Sequence, residues 1–191
     1  MNRKYLPLAI AGGFALVLVV AMAIFLRPAT TPVPSQEALA ADFAKGMQYE
    51  RGSGVTADYG QAITWYRKAA EAGYAPAEFA LGRLTQAGHG AVRDEKAAAE
   101  WFLRAAEHGM AEAQVQLGGD LLTGTGTADG KPDKVEALKW LLLGADAMPD
   151  PLSQQVARST RDALAQSLSP EERSAAEGRA NDWRKQHAPP R

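Results

Sequence analysis

The sequence predicts an all-α protein, an α-solenoid of three helix-turn-helix repeats closed by a C-terminal capping helical hairpin and preceded by one transmembrane helix. Three observations carry that reading. Glycine recurs 36 residues apart in three registers: Gly46, Gly82 and Gly118; Gly52, Gly88 and Gly124; Gly54, Gly90 and Gly126. A stripe of Asp58, Ala62 and Trp65 returns at the same offset as Asp94, Ala98 and Trp101, and again, three residues late, as Asp133, Ala137 and Trp140. An uncharged apolar run extends from Tyr5 to Leu26. A fixed period of this length marks units that bury their apolar faces only by stacking on neighbours.

Taken in order, residues 1–4 form a short stub carrying Arg3 and Lys4, and 5–26 is the membrane segment. As a helix that run reaches about 33 Å, enough for the hydrocarbon core of a bilayer. The cations before it and the near absence of cations after it put the N-terminus in the cytoplasm and the body on the extracytoplasmic, periplasmic side. One small-x-small site, Ala21-Met22-Ala23, lies inside the run, and another, Ala38-Leu39-Ala40, lies well past it. The expectation is therefore an uncleaved signal anchor contacting inner-membrane lipid rather than a cleaved signal peptide. Residues 27–35 follow as a linker, in which Pro28, Pro32 and Pro34 favour extended backbone.

The body, 36–148, divides into units at about 38–73, 74–109 and 110–148. Each Gly-x-Gly pair stops a first helix and turns the chain. The Asp that follows suits an N-cap, and Ala at +4, Trp at +7 and Ala at +11 lie on one face of a second helix. On this reading Trp65, Trp101 and Trp140 are core. The extra residues of the third unit fall at 127–132, a stretch of turn-forming chemistry. After Pro149-Asp150-Pro151 the period is lost, and 149–191 reads as helices at about 152–167 and 170–186 with a frayed tail. The second of these opens on Ser169-Pro170-Glu171-Glu172, a capping-box start.

The segment Ala77-x-x-x-Leu81-Gly82, Gly88-x-Gly90, Asp94-x-x-x-Ala98-x-x-Trp101-Phe102-x-x-Ala105-Ala106-x-x-Gly109 resembles the Sel-one-like repeat (SLR), a relative of the tetratricopeptide repeat. The resemblance covers roughly 38–148. It departs where Lys45 replaces Leu81 and Leu117, where Gly144 replaces the first Ala of the pair, and where Met148 replaces the closing Gly. It implies a right-handed solenoid that acts as a protein-interaction scaffold. If the tetratricopeptide-type arrangement holds, the groove-facing residues are Phe43, Met47 and Glu50, then Phe79, Arg83 and Gln86, then Val115, Gly119 and Leu122. The competing reading packs Phe43, Phe79 and Leu122 within the array or under the C-terminal helices.

Other chemistries find little purchase. The formal charge is -1 and the cations do not cluster, so no footprint for nucleic acid exists. There is no Cys, which excludes thiolate nucleophiles and Cys-ligated metals. His89, His108 and His187 never share an i,i+4 spacing, so no metal site is expected; His108 reads as a cation suited to a helix C-terminus. No catalytic residue and no cofactor are assigned. The expected function is a membrane-anchored extracytoplasmic scaffold for a protein or peptide partner, serving a bacterial envelope complex. The alternative is a cell-wall or β-lactam-directed enzyme using a carboxylate that the sequence does not identify.

Overall fold

In the computed structural model of the chain the described residues are 34–188, apart from 126 and 128. The stub, the expected transmembrane segment, most of the Pro-rich linker, Gly126 and the end of the tail lie outside them. Among the described residues no helix is long and apolar enough to cross a membrane.

Six helices form three antiparallel pairs: α1 (Gln36–Arg51) with α2 (Tyr59–Ala70), α3 (Ala75–Ala87) with α4 (Glu95–Glu107), and α5 (Ala111–Thr123) with α6 (Lys134–Gly144). Each pair packs on the next through α2 against α3 and α4 against α5. The punctuation follows the sequence. Asp58, Asp94 and Asp133 are N-caps whose carboxylates accept from the backbone N–H of Gln61, Ala97 and Glu136 at 2.9–3.0 Å. Gly52, Gly88 and Gly124 close the first helices in the left-handed region, at φ of 69°, 71° and 80°.

The register of Gly46, Gly82 and Gly118 is a packing device. A Cβ on Gly46 would overlap the Tyr66 ring, one on Gly82 would overlap Phe102, and one on Gly118 would lie 2.9 Å from Leu141 Cγ. The missing side chain lets each pair close tightly. Gly144 is similar: a Cβ there would stand 2.7 Å from the Ala111 carbonyl oxygen, so its departure from Ala brings α5 onto α6.

Tyr66, Phe102 and Leu141, one residue after each Trp, are fully buried. This corrects the core assignment of Trp65 and Trp101, which are half-buried. At 3.6 residues per turn, the direction set by Ala62 and Ala69 falls between positions 65 and 66. Tyr66 turns toward its paired helix, and Trp65 turns to the edge under Lys45 Nζ, 4.3 Å from the ring centroid. Arg104 covers Trp101 in the same way at 4.6 Å. Trp140 alone is buried, at 1% exposed, because a later helix lies across it.

That helix belongs to the C-terminal segment. A short 3-10 turn (Ala145–Ala147) leads to α7 (Pro151–Ser167) and α8 (Pro170–Gln186), the latter opened by the full Ser169/Glu172 capping box. The expected capping hairpin is corrected: α7 and α8 scarcely touch and pack separately on α6. Leu164, Leu168 and Ala176 meet Leu138 and Leu141 at the corner between them. Trp183 of α8 crosses Trp140 edge-on at 6.3 Å and donates from Nε1 to Glu107 Oε2 at 2.8 Å.

Candidate interaction groove

The residues expected to line the groove sit on the first helices α1, α3 and α5, which succeed one another along the array. Glu50 and Arg83 are brought together: Arg83 Nη2 donates to Glu50 Oε1 at 2.8 Å, while Glu50 Oε2 accepts from the Tyr66 hydroxyl at 2.5 Å. Burial and the adjacent carboxylate push the Tyr66 hydroxyl well above its ordinary pKa. Arg83 is thus a paired cation, half-exposed, and not a free anchor.

The apolar members divide. Phe43 is half-buried between Tyr66 and Tyr74, at 5.3 and 5.6 Å, and Phe79 lies 5.5 Å from Phe102. Both rings pack against the core clusters of the array while staying partly exposed. Met47 packs against the first core cluster, and Val115 and Leu122 against the last. Gln86 is half-buried at the end of α3.

The open part of this face is at its C-terminal end. Val115 and Gly119 of α5, Leu141 of α6, and Leu152, Val156 and Thr160 of α7 are among the residues bounding a cleft of about 420 Å³. Leu152 and Val156, one turn apart, are 72% and 59% exposed. A Cβ on Gly119 would meet nothing within 4 Å. The α7 wall was missed in the sequence because α7 stands outside the period. Its signal was there in Leu152, Val156 and Thr160, which share one helix face.

Three carboxylates are buried among the described residues, Asp42, Glu78 and Asp120, and none lines the cleft; Asp42 pairs with Lys68 at 2.9 Å. Glu78 is fully buried, with Oε2 2.7 Å from His108 Nδ1 and Oε1 3.2 Å from Arg104 Nε. His108 therefore does more than sit near a helix end. Asp120 is 8% exposed; Oδ1 accepts from Gln116 Nε2 at 3.0 Å and Oδ2 has no partner among the described residues. Burial raises its pKa to about 6, against a smaller opposing effect from Gln116. Among the described residues, no three His, Asp or Glu side chains gather where they could hold a metal ion.

Stacked helix pairs with an accessible first-helix face define a helical-repeat protein of the solenoid class. The Sel1 repeat model matches three successive copies, at residues 35–74, 75–110 and 111–147. The chain belongs to the Sel1 repeat family. Its structure is similar to that of a Sel1 repeat protein from Oxalobacter formigenes, with 33% identity, a TM-score of 0.55, and coverage of 63% of this chain and 88% of that one. It is also similar to c5321, a protective antigen of uropathogenic Escherichia coli strains that displays an SLR fold, with 25% identity and a TM-score of 0.59. That match covers 81% of this chain and 39% of c5321. No curated protein gives a match.

Proposed function

We propose that the protein is a non-enzymatic interaction scaffold that holds a protein or peptide partner along the first-helix face. The observation that carries this reading is the accessible apolar cleft at the end of a row of first helices, in a fold whose family points to protein–protein interaction. The apolar run at 5–26 would tether the body to the inner membrane on its periplasmic side, in the service of an envelope complex. The alternative, a cell-wall or β-lactam-directed enzyme, draws no support from this cleft, whose lining holds no carboxylate.

Site-directed photocross-linking in cells tests the scaffold reading. With a benzophenone amino acid at position 83 or 86, the full-length protein should form discrete protein adducts. At Glu100, an exposed residue of a second helix, the same probe should form none. Equal yields at all three positions would sink the reading. Alkaline phosphatase fused after residue 191 should be active and pellet with membranes; activity in the soluble fraction would mean that the leader is cleaved.

A further inference from the structure

We infer that the cleft between α5 and α7 is an anchor pocket for a bulky uncharged side chain, an aromatic ring above all, presented by a partner polypeptide; this rests on the scaffold reading. The first ground is the repeat register. Val115 stands where the first two units place Phe43 and Phe79, and Gly119 where they place Met47 and Arg83. In those units the ring is supplied internally, Phe43 against Tyr66 and Phe79 against Phe102. The third unit has lost the ring and the side chain one turn on, and the cleft opens there.

The second ground is the cost of Gly119. Glycine inside a helix is destabilising relative to alanine. At Gly118 the Leu141 side chain requires it, whereas at Gly119 no contact in the described chain does. Its effect is to leave α5 backbone open to whatever enters the cleft.

Charge then selects the occupant. The cleft lining carries no ionisable side chain. The cations of α7 are already matched: Arg158 Nε and Arg161 Nη1 donate to the two carboxylate oxygens of Asp146 at 2.6 and 2.9 Å, and Arg161 Nε donates to Asp162 Oδ1 at 2.9 Å. A charged insert would be desolvated without a counter-charge, while an apolar one would cover Leu152 and Val156. The volume lies in the range of ligand pockets, and aromatic side chains are the usual anchors of polypeptide interfaces.

The test uses the full-length protein and a dye-labelled, capped eight-residue Ser/Gln peptide carrying Phe and Leu four residues apart, read by fluorescence anisotropy. Wild type should bind it at least about tenfold more tightly than the same peptide with both anchors replaced by Lys. Gly119→Met, which copies Met47, should weaken binding at least about tenfold while raising the denaturation midpoint. Val115→Phe, which restores the internal ring, should also weaken binding. The pocket is overturned by failure of wild type to bind, by unchanged affinity in Gly119→Met, or by weakened binding with a lowered midpoint, which would make Gly119 a packing position. Tighter occupation by 1-decanol than by the peptide would make the ligand an alkyl chain and overturn it too. If cross-links from position 83 persist while the peptide fails, the pocket falls and the scaffold reading stands; if both are lost, both fall.

Discussion

Arg104 donates through Nη2 to the Ala70 carbonyl at 3.1 Å, and Gln114 donates through Nε2 to the Ala106 carbonyl, 36 residues further on, at the same distance. Each carbonyl sits at the end of a second helix, where it also accepts from the backbone N–H of the closing glycine, Gly73 or Gly109, at 3.0 Å. The two donors come from different places in the repeat. Arg104 is on a second helix and reaches back beside Glu78; Gln114 is on a first helix at the Glu78 register. The corresponding residues of the first unit, Asp42 and Lys68, pair at 2.9 Å. In the third unit Leu143 replaces the cation, the carboxylate has become an amide, and that amide caps the carbonyl.

This coupling makes a prediction. Arg104→Leu, copying Leu143, leaves Glu78 buried with His108 alone and should cost about 2 kcal/mol of stability. Adding Glu78→Gln, copying Gln114, should recover at least about half of that loss, because the buried charge is removed with its partner. Urea midpoints of the two single variants and the double give the coupling. A double variant no more stable than Arg104→Leu would show that the registers do not compensate.

Phe102→Ala should destabilise more than Trp101→Ala, although Trp is the larger residue. Phe102 is 1% exposed and fills the notch left by Gly82, so its removal leaves a cavity costing about 3–5 kcal/mol. Trp101 is half-buried under Arg104, and its truncation opens toward solvent. The order of the two denaturation midpoints checks this, and the reverse order would put Trp101 in the core.

The repeat boundaries were legible because glycine and aspartate act locally. Gly88 stops a helix and Asp94 caps the next through neighbouring backbone alone, so their spacing carries the fold. Choosing between Trp101 and Phe102 needed more. Both flank the Ala98 and Ala105 stripe, and only the position of Gly82 on the facing helix shows which ring turns inward. The Glu78 and His108 contact joins residues 30 apart on different helices, so His108 looked like a helix-end cation. The cleft was half-visible: α5 supplied Val115 and Gly119 by register, whereas Leu152 and Val156 follow a break in the period that left the placement of α7 to tertiary packing.

Asp120 occupies the register of Leu84, which is buried among apolar neighbours. With its pKa raised to about 6 in the fold from the usual 3.8, the native state binds the proton more tightly than the unfolded chain does. Its stabilising contribution is therefore complete below about pH 3.8 and is lost as pH rises through about 6. Asp120→Leu should raise the thermal midpoint at pH 7.5 by more than at pH 4.5. An equal gain at both values would mean that Asp120 is charged in the fold at either pH.

The last prediction concerns what makes Trp140 the one buried member of its register. Trp65 and Trp101 meet cations at the edge of the array, and Lys139 Nζ likewise lies 3.9 Å from the Trp140 ring centroid, yet that ring is 1% exposed. The difference is α8. Ala176 and Ala180 are fully buried, so the helix approaches closely, and Trp183 covers the ring while Arg184 Nη2 donates to the Leu142 carbonyl at 2.7 Å. Without Trp183 the third unit would end as the first two do, with its Trp at the edge. Trp183→Ala should cost about 2–3 kcal/mol, below the range of about 3–5 for a fully buried large aromatic, since this side chain is only half-buried. Trp140→Ala should cost less in that background than in wild type, by at least about 1 kcal/mol, because the pair contributes beyond its separate burial. Urea midpoints for the two single variants and the double measure the difference. Additivity within about 0.5 kcal/mol would mean that α6 buries Trp140 without help, and that α8 docks on a face already closed.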